Sequence, residues 1–184
     1  MRYEQLRRRP PDESPRDAVP TRDLAELKAM ALLAQARITR PPVDPDECAV
    51  AAGVAIVNYM HMQSERSALL MQSHEGIVAI LVNQDHAPVR QRFSVAHEIG
   101  HWVLERAPVT HELRPIAARG HAYDSMEHVC DYFAACLLMP RKWIRDRIEW
   151  GMTNGELRRA FEVSQPALVA RLRELGYYAR ERMK

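Results

Sequence analysis

The pattern of apolar and polar positions predicts helices at both ends of the chain and a small sheet between them. Thr21 opens a run with a helical repeat, and Pro41–Pro42 ends it. A second, short helix is expected to begin near Asp44 or Asp46. The positions predicted to share the apolar face of the first helix are Leu24, Leu27, Ala31 and Leu32.

Three runs in the middle of the chain have the composition of strands. The segment VAIVNYM, which follows Gly53, is rich in β-branched residues. Residues 68–72 and 76–83 are apolar runs separated by the polar triplet Ser73-His74-Glu75, a pattern typical of a hairpin. We therefore expect a small, mostly antiparallel sheet.

Helical periodicity returns in the second half of the chain. Residues 93–105 are predicted to form a helix with Ser94 as its N-cap. A long loop is expected over residues 107–124, followed by a strongly apolar helix over residues 126–139. The C-terminal third predicts further short helices. The fold class is therefore α+β.

Composition narrows the class of protein. The length of 184 residues fits one ordinary domain, and the hydrophobic (47%) and charged (27%) fractions are typical of globular proteins. The N-terminus is charged and proline-rich, and no apolar run approaches the roughly 20 residues that cross a bilayer. Three cysteines without a CxxC pair indicate reduced thiols. We expect a cytoplasmic protein that does not engage membranes.

The candidate metal-binding and catalytic residues lie in the sequence HEIGH, residues 97–101, which is an HExxH motif inside a predicted helix. Residues four apart share a helical face, so His97 and His101 can bind one metal ion. Imidazole pairs suit zinc. Glu98 is close enough to accept a proton from a metal-bound water, which makes it the candidate general base.

Catalytic zinc normally has three protein ligands, so a third is expected downstream. Glu127, at the start of the apolar helix, is the best candidate, and the alternative is an exposed acid at a helix N-terminus. Asp131, one turn further on, is placed to accept a hydrogen bond from a ligand histidine. The candidates for stabilising an oxyanion are His121, Tyr123 and His128.

Two segments resemble the ImmA/IrrE family of metallopeptidases. RFSVAHEIGHWVLE is similar to the family pattern R-F-x-x-A-H-E-x-G-H, and EHVCDYFAACLLMP is similar to E-x-x-A-N-x-F-A-x-x-L-L-M-P. The resemblance covers roughly residues 45–145. Cys130 stands where the family usually has Ala, and Asp131 where Asn is common; the first is a small-for-small exchange and the second keeps a hydrogen-bonding side chain.

The resemblance implies a zinc endopeptidase that cleaves a bacterial repressor, often of the helix-turn-helix type. It implies one zinc ion per chain, held by His97, His101 and Glu127, with Glu98 as the base. The expected organisation is a flexible tail (1–20), a zincin-like metallopeptidase domain (21–150) with its sheet packed against zincin-type helices, and a helical appendage (151–184).

A second hypothesis is a DNA-binding module with a structural or inactive zinc site. Residues 154–176 resemble a helix-turn-helix, but nearby glutamates offset the arginines and a pair of helices packed on the peptidase body explains the same pattern. A third is an inactive, zinc-stapled interaction protein, which the intact Glu98 argues against. The arginines available to phosphates in the second hypothesis are Arg158, Arg159, Arg171 and Arg173.

Overall fold

The computed structural model describes residues 20–105 and 121–177, with side chains from residue 125 onward in the second range. The elements in these ranges confirm the α+β class. None of the helices described combines the length and apolar character that crossing a membrane requires. In chain order the elements are α1 (Arg22–Gln35), α2 (Pro45–Ala51), β1 (Ile56–Met60), β2 (Ala68–Gln72), β3 (Val78–Asn83), α3 (Pro88–Leu104), α4 (His121–Leu138), α5 (Arg141–Glu149), α6 (Asn154–Phe161) and α7 (Gln165–Glu174).

The sheet has the strand order β1-β3-β2, with β3 in the centre. The expected hairpin is present, because β2 pairs antiparallel with β3. The sheet as a whole is mixed rather than mostly antiparallel, since β1 pairs parallel with β3. The pattern within a strand reports which face is buried but not which neighbour the strand pairs with, so the parallel pair could not be derived from it. In this strand order β2 lies at an edge of the sheet, and it contacts α3.

The buried face of α1 differs from the expected one. Leu24 and Leu27 are 39% and 65% exposed, and Ala31 is also exposed. The side chains that are buried are Ala25, Ala29, Leu32 and Leu33. Small alanines let two helices approach closely, and α1 packs against α4. Of the four residues expected on the buried face, only Leu32 lies there.

Two helix boundaries also differ from those predicted from the sequence. Helix α3 begins at Pro88, a residue suited to the first helical position, so Ser94 lies inside the helix and its hydroxyl donates to the carbonyl of Arg90 at 2.9 Å. Helix α4 begins at His121, so the last residues of the expected 107–124 loop are helical. The remainder of that loop, from 107 to 120, and residues 1–19 of the expected tail lie outside the described residues.

Gly100 sets the distance between α3 and α4. A Cβ at this position would lie 3.2 Å from Cδ1 of Phe133 and 3.3 Å from the Cα of Cys130. The second of these atoms belongs to the backbone and cannot move without moving α4. Since α3 and α4 carry the candidate ligands, this close approach controls how near those ligands come to each other.

Arg171 fastens α7 to the rest of the protein. Its side chain is buried, and Nε donates to the carbonyl of Met139 at 3.2 Å. The guanidinium also donates to Glu174 at 3.2 Å and lies 4.0 Å from Glu26 on α1. The expectation that Arg171 contacts phosphates is therefore wrong, because its charge is directed into the protein.

The first prediction concerns Gly100. We expect Gly100→Val to lower the free energy of unfolding by about 1–3 kcal/mol, because the new side chain meets backbone. The matched control is Gly155→Val, where a Cβ has ordinary contacts at 3.8 and 4.0 Å, and the change should stay within about 0.5 kcal/mol. Urea denaturation measures both. Equal effects at the two glycines would contradict the packing argument.

The second prediction concerns Glu26. A hydrogen bond from Arg141 lowers the pKa of Glu26 below its ordinary 4.5, against the opposing effect of burial. A lowered pKa means that the carboxylate stabilises the fold above pH 4.5 and that this stabilisation is lost as the pH falls through the folded-state value.

Glu26→Gln should therefore lower the free energy of unfolding at pH 7 by about 1–3 kcal/mol, and the deficit should shrink towards zero in acid. Denaturation at a series of pH values tests this, with Glu75→Gln in the exposed hairpin loop as the control that changes little. A deficit that is independent of pH would count against the assignment.

Candidate metal centre

The three predicted ligands, His97, His101 and Glu127, meet between α3 and α4. The Nε2 atoms of His97 and His101 lie 3.0 Å apart. Glu127 places Oε2 3.2 Å from Nε2 of His97 and Oε1 3.2 Å from Nε2 of His101. The helical spacing stacks the two rings on one face of α3, and α4 brings the carboxylate opposite them. The three residues form a group that could hold a metal ion.

The spacing of these atoms fits a tetrahedral zinc site. Ligands at about 2.0–2.1 Å from zinc occupy corners roughly 3.3–3.4 Å apart, close to the 3.0–3.2 Å seen here. Nδ1 of His97 lies 2.9 Å from Asp131, and Nδ1 of His101 lies 2.7 Å from Glu105. Carboxylates accept hydrogen bonds, so each Nδ1 carries a proton and each Nε2 is left to offer a lone pair.

Charge at the site favours a cation. Burial alone would lower the pKa of His97, but hydrogen bonds to Asp131 and Glu127 outweigh it and raise that pKa to about 9. The pKa of His101 is also raised against burial, by hydrogen bonds that involve Cys130, Glu105 and Glu127. The two histidines lower the pKa of Glu127. Protons and a metal ion therefore compete for one position, and metal binding there would release protons.

Glu105 is the residue that sequence reasoning missed. It lies at the C-terminal end of α3, four positions after His101, and its carboxylate orients that ring as Asp131 orients the ring of His97. The signal was available, because residues four apart on a helix are neighbours. Each candidate ligand histidine is thus held at its outer nitrogen by a carboxylate, one from the C-cap of α3 and one from α4.

Glu98 faces a cleft beside this group. The cleft, of about 280 Å³, is lined by Glu98, His97 and Asp131 together with residues of α3 and of the segment that leads into β2. Burial raises the pKa of Glu98, and a backbone hydrogen bond from Leu70 opposes that rise. The candidate base therefore lies at the junction of the HExxH helix and the sheet edge.

Of the three candidate oxyanion stabilisers, only His128 has a described side chain. His128 is exposed on α4 and is not among the residues that line the described cleft. The side chains of His121 and Tyr123 lie outside the described residues, although both positions belong to α4. Their proposed role stays a prediction.

Comparison with known proteins identifies the family of this chain. The family described as IrrE N-terminal-like domain matches residues 53–173, which include both ligand-bearing helices. Over 104 residues the chain is 34% identical to the radiation response metalloprotease IrrE of Deinococcus radiodurans, a stretch that covers 52% of this chain and 30% of that relative. The chain therefore corresponds to less than a third of this curated relative.

A solved structure extends the likeness to the fold. A transcriptional regulator of Mycobacterium tuberculosis matches with a TM-score of 0.59 at 15% identity, over 86% of this chain and 48% of that one. The likeness at this identity concerns the fold alone. The family match covers well over half of the chain and confirms the ImmA/IrrE resemblance. The chain therefore belongs to the family of IrrE N-terminal-like domains, a family of metallopeptidases.

Proposed function

We propose that this chain is a zinc-dependent metalloendopeptidase in which His97, His101 and Glu127 hold one zinc ion and Glu98 is the general base. The observation that carries the proposal is the approach of two imidazole Nε2 atoms and a carboxylate to within 3.0–3.2 Å of one another. Zinc at this position would supply Lewis acidity, which activates water and polarises a peptide carbonyl.

Glu98 moves the proton. Its carboxylate lines the cleft and is held by the backbone of Leu70, so it is positioned before a substrate arrives. A raised pKa makes a carboxylate a better proton acceptor near neutral pH. Glu98 takes a proton from the attacking water and delivers it to the amine that leaves.

The substrate would lie along the outer edge of β2. In the antiparallel pair, the N–H of Asn83 donates to the carbonyl of Ser67, and hydrogen-bonded pairs alternate along the register. Ala68 and Gln72 therefore turn their backbone N–H and carbonyl groups towards the outer edge. Leu70 faces the same way, with its N–H donating to Glu98. An extended peptide can add there as a further strand, which presents its carbonyls to the cleft.

The substrate class is a bacterial transcriptional repressor of the helix-turn-helix type, cleaved in the cytoplasm to relieve repression. This part of the proposal is supported by the family resemblance. Within the chain, we assign the peptidase body to residues 21–150 and the helical appendage to residues 151–184.

The DNA-binding hypothesis is weakened by the position of Arg171. Its guanidinium is buried between α7 and the end of α4, so it is unavailable to phosphates. Arg158, Arg159 and Arg173 are exposed, with Glu156, Glu162 and Glu174 exposed on the same two helices and the turn between them. The resulting surface mixes both signs of charge, and nucleic-acid binding depends on an excess of positive charge.

The third prediction concerns metal content. The purified chain should contain about one zinc ion, and His97→Ala, His101→Ala and Glu127→Ala should each lose it. Glu105→Ala and Asp131→Ala should weaken zinc affinity roughly 10–100-fold, because the histidines lose the groups that orient them. Competition with a fluorescent chelator measures the affinities, and His128→Ala is the control. Full zinc content in Glu127→Ala would refute the ligand set.

The fourth prediction separates metal binding from catalysis. Glu98→Gln should retain zinc but reduce peptide hydrolysis by a factor of about 10²–10⁴, because the amide cannot accept the proton. Coexpression with helix-turn-helix repressors, followed by mass spectrometry of cleavage products, provides the readout. The base assignment is wrong if the zinc-loaded Glu98→Gln protein cleaves as fast as the parent.

A further inference from the structure

A second cavity adjoins the cleft at the metal centre. It has a volume of about 300 Å³ and lies between the N-terminal part of α3 and the first turn of α7. Arg90 and Phe93 line both cavities, so these two residues form the wall between them. The proposed chemistry makes no use of this second space, although it shares a wall with the cleft.

The second cavity is mainly apolar. Val89 and Phe93 contribute its α3 side, and Ser164 and Ala167 its α7 side. Phe93 and Ala167 also pack against the hydrophobic core, which fixes both walls. The hydroxyl of Ser164 accepts a hydrogen bond from the N–H of Ala167 at 3.2 Å, so its oxygen is engaged within α7. The small side chain of Ala167 leaves the space open, and an apolar side chain is the occupant that such a lining favours.

Arg90 adds a positive charge at the shared wall. Its Nε and Nη2 atoms donate to the hydroxyl of Ser67, at 3.2 and 2.9 Å, which anchors the side chain at the start of β2. Within the described part of the chain, Arg90 forms no ion pair with an acidic residue. Nearby Arg92, by contrast, is paired with Glu162. An exposed guanidinium with donors to spare is suited to a carboxylate.

We propose that this second cavity is a substrate subsite that binds an apolar side chain of the peptide, and that Arg90 binds an acidic side chain next to that apolar residue. The inference rests on the proposed peptidase function. Ser67, which precedes β2, accepts hydrogen bonds from Arg90, and Arg90 lines both the cleft and the second cavity. A strand added along β2 would therefore end beside the shared wall. Successive side chains of a strand point to opposite sides, so the neighbour of the residue in the second cavity would meet the Arg90 guanidinium from the cleft side. The preferred substrate therefore contains an acidic-apolar pair near the scissile bond.

The test is a cleavage profile. The zinc-loaded full chain is incubated with a tryptic peptide library from a bacterial lysate, and mass spectrometry identifies the cleaved bonds. The parent should favour Leu, Met or Phe at one fixed distance from the scissile bond, with Asp or Glu beside it. Ala167→Leu should shift preference at the first position towards Gly and Ala by roughly tenfold or more. Arg90→Gln should lower the acidic preference about fivefold.

Two kinds of control keep the outcomes distinct. Ala170→Leu on the exposed face of α7 and Arg158→Gln on α6 should leave both preferences unchanged. Because Ala167 also contacts the core, Val89→Phe fills the same cavity from the α3 side and should reproduce the shift.

Cleavage that depends on Glu98 but keeps the parental preferences in Ala167→Leu, Val89→Phe and Arg90→Gln would overturn the subsite and leave the peptidase function standing. If no cleavage depends on Glu98, both the subsite and the peptidase function would be overturned.

Discussion

The close approach of α3 to α4 is the constraint on which the candidate site depends. Both imidazoles lie on one helix and the carboxylate on another, so the distance between the helices decides whether the three groups share one ion. Gly100 makes that distance possible, because even a methyl group there would press on the backbone of α4. The glycine within the HExxH motif is thus a packing residue that brings the ligands together.

Two carboxylates around the histidines fix the orientation of the imidazole rings. Asp131 and Glu105 hold the outer nitrogens, so the inner nitrogens face Glu127 in a fixed orientation. Next to His97 in the chain, Glu98 reaches the backbone of β2. One helix therefore connects the candidate metal ligands, the candidate base and the sheet edge. The strand order matters for this, because within the described residues β2 has one free edge, and Leu70 on β2 contacts Glu98 of α3.

The candidate site residues could be predicted from the sequence more fully than the packing contacts could. The HExxH spacing needs only a helix to bring His97 and His101 together, and a carboxylate at the start of the next apolar helix was the natural third group. The parallel pairing of β1, the buried face of α1 and the burial of Arg171 depend on contacts between distant segments. Leu24 and Leu27 looked like core residues, yet the buried face of α1 consists of Ala25, Ala29, Leu32 and Leu33. Glu105 was within reach of helical spacing, and the roles of His121, Tyr123 and His128 stay predictions.

X-ray absorption spectroscopy at the zinc edge identifies the atoms that bind the metal. We predict a shell of nitrogen and oxygen atoms at about 2.0–2.1 Å, with the outer scattering of two imidazole rings, and loss of that shell in the Glu127→Ala protein. Cys130 makes the contrast sharp, because it lies beside His101 and would give a sulfur atom at about 2.3 Å if it replaced Glu127 as a ligand. A sulfur shell, or a spectrum unchanged by Glu127→Ala, would contradict the proposed centre.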